Sequence, residues 1–489
     1  MDKQTYEKHE KYLKFYSSKT QYDEEYWGLG IENESYIMFE TLEKVDKLFI
    51  QRNQMPERYS VDYWKNYRYV KLQDTLNKLP STLRVPTYVS SYLFRNVDLL
   101  GEHKTIFGSR GKENPIYSDE TIDTFLKRVS PAFTKFFEKH LIYDGDTFEF
   151  TTCNFYKTDV VSVIKELAII KSEILAELNK RLISKFTIFK KPLVFPRLNY
   201  GFAKFQSNLK NIAICNNGTY HINLTLPTAL DADGQIKNQD EFKANHANAI
   251  RAIQWIEPLL IGLYGTPDIL SQLDPSYAAG SQRLAFSRYI GLGTFDTSVM
   301  EKGKLLDTFS YKDKKNYYEE LHSHKDSPYF PARTIGYDIN YNKFKNHGIE
   351  LRILDYFPEE YLEAVLNFLI LVCQCSLHIV IPDPRLNATW TSVCAKAIKQ
   401  GSQLKLPHSF YTEVYKVFGL DQDTWLLYRW PFFAKAPMLH VANRLASKLY
   451  KKYSKDSVCS KMSPDMKAVV LVDYNSQVKR EFAKLLCGF

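Results

Sequence analysis

The residues best suited to chemistry stand at alternate positions in short apolar runs. In Gly348-Ile349-Glu350-Leu351-Arg352-Ile353-Leu354-Asp355, the period-two pattern predicts a strand that buries Ile349, Leu351 and Ile353 and projects Glu350 and Arg352 from the other face. Alone, that pair reads equally well as a surface ion pair on an edge strand. Two other runs repeat the design. In Gly28-Leu29-Gly30-Ile31-Glu32-Asn33-Glu34-Ser35-Tyr36-Ile37, Glu32 and Glu34 share a face, where adjacent like charges destabilise a strand unless a cation lies between them. In Gly218-Thr219-Tyr220-His221-Ile222-Asn223-Leu224-Thr225-Leu226-Pro227, His221, Asn223 and Thr225 share a face opposite Ile222, Leu224 and Leu226. A further run leads from the turn Asp144-Gly145-Asp146 into a strand with Phe148 and Phe150 on one side and Glu149 on the other. If these strands join one sheet, its polar face gathers Glu32, Glu34, Glu149, His221, Glu350 and Arg352, with Asp144 or Asp146 at the rim. Carboxylates with one imidazole suit a hard cation such as Mg²⁺ or Mn²⁺, and Arg352 is the planar donor expected beside a phosphate.

The elements that must position these groups alternate strand and helix. Residues 158–184 read as an amphipathic helix with Val161, Ile164, Leu167, Ile170 and Ile174 or Leu175 on one side. Phe242 to Tyr264 reads as a long helix that stops at Gly265-Thr266-Pro267. Between Phe39 and about Phe137 the chain reads as helix and loop, with Val61 to Lys78 helical and Pro80 and Pro86 breaking the pattern. That stretch holds a basic, glycine-containing loop, residues 101–112, which lacks the spacing of a P-loop and reads as solvated. From Pro358 onward the pattern is mainly helical. Leu362 to Ile381 is apolar enough to raise a membrane span, yet it contains Glu363, Asn367, Gln374 and His378, and the reading is a buried helix.

With 489 residues, 44% of them hydrophobic, the chain can bury a large core. The net charge of +9 is small against 65 basic and 56 acidic side chains, so it permits attraction to nucleotides without demanding it. The seven cysteines form no zinc-type spacing, and their odd number argues against a disulfide framework. With a charged, non-apolar start at Met1-Asp2-Lys3-Gln4, this gives an expected cytoplasmic location and no membrane partner.

The order of the motifs resembles that of glutamate-cysteine ligases. Gly30-Ile31-Glu32-Asn33-Glu34 resembles their opening Gly-Ile-Glu-x-Glu, and Tyr220-His221-Ile222-Asn223 resembles their Gly-x-His-x-Asn strand. Ile256 to Pro267 is similar to the helix ending in Phe-Gly-Ala-Ser-Pro, and Ser281-Gln282-Arg283-Leu284, with Tyr289, is similar to Ser-Leu-Arg-x-Ser. Tyr329-Phe330-Pro331-Ala332-Arg333 resembles Tyr-x-Pro-Ile-Arg, and Glu350 to Asp355 resembles Glu-Val-Arg-Ser-Leu-Asp. Asp144 and Glu149 match the Asp-Gly-x-x-x-Glu strand of the broader amidoligase group. The resemblance implies an α+β fold of the glutamine synthetase-like type, a curved antiparallel sheet with flanking helices. It implies a catalytic domain over 1–355, with 40–140 as a mostly helical insertion or lid, and a helical region over 356–489 packed on it. Ala285 and Phe286 stand where a polar pair usually follows the arginine, and Asn33 where a charged residue is frequent, so the resemblance leaves substrate identity open.

The activity implied is ATP-dependent joining of a carboxylate to an amine through an acyl phosphate, with Mg²⁺ or Mn²⁺. The metal set would be Glu32, Glu34, Asp144, Glu149, His221 and Glu350. Arg333 and Arg352 would hold the transferred phosphoryl group, Glu350, Arg352 and Arg333 would form the catalytic set, and Arg283, Tyr289 and Asn223 would contact substrate. Partners would be small amino acids or amines, or a peptide or protein acceptor; the oligomeric state stays open. The bland alternatives are an exposed Glu32/Glu34 pair, a hydrogen-bonded core histidine, and Arg283 and Arg333 as surface residues. Rival readings of the whole are a degenerate nucleotide-binding member of the fold and a nucleic-acid binder, the latter resting only on the modest charge and 34 tyrosines and therefore not expected.

Overall fold

The alternating runs do join one sheet. A computed structural model describes residues 25–45, 74–95, 121–144, 147–155, 158–186, 189, 191–206, 208–216, 218–231, 236–288, 339–341, 348–430 and 435–487. The sheet has six strands, in the order Ile339–Tyr341, Ile349–Asp355, Thr219–Ala229, Glu25–Ser35, Thr147–Thr151 and Leu141–Asp144. Every pairing in it is antiparallel. Such a sheet can pack one face and leave the other for polar groups, which is what the period-two pattern demands. Leu29, Ile31, Phe148, Phe150, Ile222, Leu224 and Leu351 are buried, each contributing about 1.5–3 kcal/mol through apolar burial.

Two long helices pack against the sheet. The helix Gln239–Tyr264 starts earlier than its apolar pattern because the Asn238 side chain accepts the Glu241 N–H at 3.2 Å, and it stops where the Gly265 N–H returns to the Ile261 carbonyl. The helix Val160–Leu182 is capped by Asp159, whose carboxylate accepts the Ser162 N–H at 2.8 Å. Its buried side differs from the expected one. Val160, Val163, Leu167, Ile170, Lys171, Ile174, Leu178 and Leu182 are buried, whereas Val161 is 54% exposed. The stripe is turned because it must admit Lys171, whose partners come from distant parts of the chain.

A second, five-stranded sheet orders Asn208–Asn216, Gly201–Phe205, Thr87–Val89, Ile37–Phe39 and Leu193–Val194. This corrects the helix-and-loop reading of 39–137. Arg84–Val85 and Thr87–Val89 are strands, too short for a period to register and separated by Pro86. Helices in the same interval are Ser91–Arg95, Ile122–Val129 and Pro131–His140, and of the helix expected over Val61 to Lys78 only 74–78 falls among the described residues, with 74–77 helical. The loop at 101–112 lies outside them.

Beyond the first sheet the described chain is mostly helical. The helical run Glu359–His378 has the length and composition to cross a membrane, but 72% of its most apolar stretch is buried within the fold, as its interspersed polar residues suggested. The last helix, Tyr474–Cys487, is tied back to segments about 200 residues or more earlier in the chain. Asn475 Nδ2 donates to the carbonyls of Gly265, Ala279 and Gly280 at 2.9, 3.1 and 3.0 Å, and the Tyr474 hydroxyl accepts the Asn199 N–H at 2.9 Å.

Candidate functional site

Register decides which side chains meet. Glu32 lies opposite His221 and Glu34 opposite Thr219 on one side, while Glu34 lies opposite Glu149 on the other. Asn223 lies opposite Glu350. Antiparallel partners project from the same face, so Glu32, Glu34, Glu149, His221, Asn223 and Glu350 share one. The Glu350 strand departs from strict alternation. Ile222 pairs with Leu351 and Tyr220 with Leu354, so His221 faces two residues, Arg352 and Ile353. That bulge keeps Glu350 and Arg352 on the polar face while returning Leu354 to the apolar one and Asp355 to the side of Thr219. The even burial of Ile349, Leu351 and Ile353 expected from the sequence therefore holds, but Ile353 is the bulged residue rather than a third ladder position.

The acidic groups form two joined clusters. Ligand atoms of Glu32, His221 and Glu350 lie within 4.8 Å of one another, as do those of Glu34, Asp144 and Glu149. His221 links them: Nδ1 is 3.4 Å from both Glu32 Oε2 and Glu350 Oε1, and Nε2 is 3.5 Å from Glu34 Oε1. The first cluster is buried, whereas Asp144 is exposed and Glu34 and Glu149 are half-buried, so the pair of sites grades from core to mouth. Asn223 Nδ2 donates to Glu32 Oε1 at 3.1 Å and the Thr151 hydroxyl to Glu149 Oε1 at 3.3 Å, which orients both carboxylates.

Cationic groups border the clusters. Arg352 donates to Glu350 Oε1 at 2.8 Å. Burial opposes its charge, but Glu350, Glu34 and Glu32 outweigh burial and hold the guanidinium above its usual range. Burial pushes Glu34 up to about 7; Arg283 and Arg352 pull it down, and Asp144 and Glu32 add to the rise. Arg283, on the short helix Gln282–Arg288, donates through its guanidinium to the Arg352 carbonyl. Asp355 supports that helix: its Oδ2 accepts the Ser281 hydroxyl at 2.7 Å and the Thr266 N–H at 3.0 Å.

One end of the polar face is closed by Phe155. A Cβ on Gly28 would stand 2.3 Å from the Phe155 ring and one on Gly30 2.8 Å, so the glycines are there to let the ring lie flat on the strand.

The donor set fits divalent ions. Both nitrogens of His221 face carboxylate oxygens, and a neutral imidazole donates from one nitrogen only, so a neutral ring would set one contact lone pair against lone pair. A hard cation among Glu32, His221 and Glu350, and another among Glu34, Asp144 and Glu149, would resolve that conflict with oxygen-rich ligands of the kind Mg²⁺ and Mn²⁺ take.

Of the residues singled out by sequence, the fold brings together Glu32, Glu34, Asp144, Glu149, His221, Asn223, Glu350 and Arg352, with Arg283 adjoining Arg352. Arg333 and Tyr289 lie outside the described residues. Sequence reasoning missed Phe155, the anchoring role of Asp355, and Lys171, which reaches the Glu32 strand from behind.

No protein-family model matches the sequence. Uncharacterized protein R704 of Acanthamoeba polyphaga mimivirus is 38% identical over 482 residues, covering 95% of this chain and 81% of that protein. Among solved structures, a bifunctional glutathione synthetase from Pasteurella multocida aligns with 97% of this chain at a TM-score of 0.36 and 12% identity, and this chain spans 54% of it. Plasmodium falciparum glutamine synthetase aligns over the same share at a TM-score of 0.32 and 10% identity, with 75% of that chain covered. Likenesses of that size carry no argument about activity.

Proposed function

We propose that this chain, which belongs to the family of mimivirus R704, is an ATP- and Mg²⁺- or Mn²⁺-dependent carboxylate-amine ligase of the glutamine synthetase-like type, similar to glutamate-cysteine ligase. The observation that carries the reading is the pair of acidic clusters on one sheet face, joined by His221 and bordered by Arg352. The motif order along the sequence supports the same reaction class.

In this reading a substrate carboxylate attacks the γ-phosphorus of ATP, breaking the bond to the leaving ADP and giving an acyl phosphate. An amine then attacks the acyl carbon, and phosphate leaves as the amide forms and the amine sheds a proton. Divalent ions held by Glu32, His221 and Glu350, and by Glu34, Asp144 and Glu149, would offset the repulsion between an anionic nucleophile and a polyanion. Arg352, kept charged by its acidic neighbours, would lie against the transferred phosphoryl group, with Arg333 as a second candidate for that task. Glu350 positions Arg352 while presenting its carboxylate to the first cluster. Arg283, which adjoins Arg352, would meet a substrate carboxylate, with Tyr289 as a further candidate for substrate contact, and Asn223 would act through Glu32. Residues 1–355 would form the catalytic domain, with 40–140 inserted in it, and 356–489 its helical support. The protein's site of action would be cytoplasmic.

The test is phosphate release from ATP with Mg²⁺, scanned over amino acids, amines and peptides, followed by mass spectrometry of the products. Amine-dependent release is expected, and the product mass separates a free amino acid from a peptide or protein acceptor. Glu350→Gln keeps the hydrogen bond from Arg352 but removes a ligand charge, so turnover should fall roughly 10²–10³-fold with little change in melting temperature. Full activity in that variant, or nucleotide binding with no amine-dependent release by the parent, would overturn the ligase reading.

A further inference from the structure

Lys171 lies on the far side of the sheet from both acidic clusters and is 3% exposed. It sits on an otherwise apolar face of the helix Val160–Leu182, beside Leu167, Ile170 and Ile174. Its ammonium is ringed by specific partners. Nζ donates to Asn33 Oδ1 at 2.9 Å, pairs with Glu359, and lies 4.5 Å from the Phe195 ring centroid and 5.4 Å from that of Tyr356.

Asn33 is the hub of this arrangement. It is fully buried and stands between Glu32 and Glu34, so its side chain points away from theirs. Its Nδ2 donates to the Thr219 carbonyl at 3.1 Å, and Thr219 is the register partner of Glu34, two residues before His221. Lys171 thus fixes a side chain that braces the Glu32 strand against the His221 strand at the point where the two clusters join.

Stability alone gives no reason for a lysine here. Burying an ammonium opposes folding, and an apolar residue of similar volume in place of a buried ion pair is often neutral or stabilising. Glu359 retains partial access to water, with a side chain 27% exposed, and survives loss of its partner; the buried Asn33 carbonyl oxygen does not. The residue that most depends on Lys171 is therefore the one flanked by two carboxylates of the site.

We infer that Lys171 is a positioning residue for the metal site: from behind the sheet it holds Asn33, and through Asn33 it sets Glu32 and Glu34 at the right distance from His221. The inference rests on the reading of these carboxylates as ligands of a divalent ion, and it adds a residue that touches neither ion nor substrate.

The experiment titrates Mn²⁺ into the purified full-length chain by calorimetry, with melting temperature measured on the same samples. Lys171→Met, which leaves the buried Asn33 oxygen unpaired, should lower the melting temperature and in addition weaken Mn²⁺ binding about tenfold or more, as outer-shell substitutions do. Asn33→Ala should weaken Mn²⁺ binding to a similar degree, and the double variant should be no weaker than either single one. Leu167→Ala, on the same buried helix face but with no polar group to offer Asn33, is the control: it should lower the melting temperature and leave Mn²⁺ affinity within about twofold. Parental affinity in Lys171→Met or Asn33→Ala, or equal loss in Leu167→Ala, overturns the positioning role and leaves the metal reading intact. A parent chain that binds no Mn²⁺ overturns both.

Discussion

His246 offers a sharp test of how the helix Gln239–Tyr264 is seated on the sheet. It is fully buried, with Nδ1 2.8 Å from the Phe242 carbonyl and Nε2 accepting the Leu226 N–H at 3.1 Å. Both contacts require the neutral ring with its proton on Nδ1, since a second proton would point at the Leu226 N–H. Burial lowers its pKa to about 4 from 6.5, against a smaller opposing pull from the Phe242 carbonyl. Because the folded value lies below the unfolded one, the unfolded chain binds the extra proton first. The stability the neutral ring contributes is complete above pH 6.5 and drains away as pH falls toward 4. At about 1.36 kcal/mol per unit, the loss over that window is about 3 kcal/mol. The perturbation is His246→Gln, which removes the titration and some hydrogen bonding. The assay is urea unfolding of parent and variant at pH 8, 6.5, 5 and 4, in one buffer series with the same chelator. At pH 8 the variant should be less stable; by pH 4 the gap should have closed by about 3 kcal/mol in the variant's favour. Comparing the two proteins cancels every other titrating group. Parallel stability curves across the range would show that the ring does not carry this burden and would refute the assigned tautomer and seating.

Asp355 should give the opposite slope. Burial raises it from 3.8 to about 6 despite the Ser281, Thr266 and Arg283 contacts, so its contribution is full below pH 3.8 and lost as pH rises through 6. Asp355→Asn should therefore gain about 3 kcal/mol relative to the parent between pH 3.5 and 7, read by the same unfolding series, and an unchanged gap would count against that placement. Gly28→Ala should cost about 1–3 kcal/mol, because its Cβ would lie 2.3 Å from the Phe155 ring. Pairing it with Phe155→Ala should cost less than the sum of the single changes; strict additivity would mean the ring does not rest on Gly28.

Much of the polar face was legible in the sequence because alternation alone decides which side of a strand a residue takes. Glu32, Glu34, His221, Asn223, Glu350 and Arg352 all sit on the face their parity gave them. What parity does not encode is register. The opposition of Glu34 to Glu149 and the bulge at Ile353 depend on pairings between distant segments, although two adjacent apolar residues, Ile353 and Leu354, hint at the bulge. The strand pairs around Pro86 escaped because runs of two or three residues have no period. Lys171 escaped for a different reason. A lysine in an amphipathic helix is ordinarily assigned to solvent, and here its burial is settled by Asn33 and Glu359, both remote in sequence.

The cross-strand meeting of Glu34 with Glu149 has a mechanical consequence. Glu149 belongs to the outer hairpin of Leu141–Asp144 and Thr147–Thr151, which ends the sheet on that side. Two carboxylates facing one another push that hairpin outward, and a divalent ion between them pulls it in. Hydrogen exchange along this margin would then slow with loading and quicken on chelation, so the hairpin would act as a latch whose tightness reports occupancy of the outer cluster.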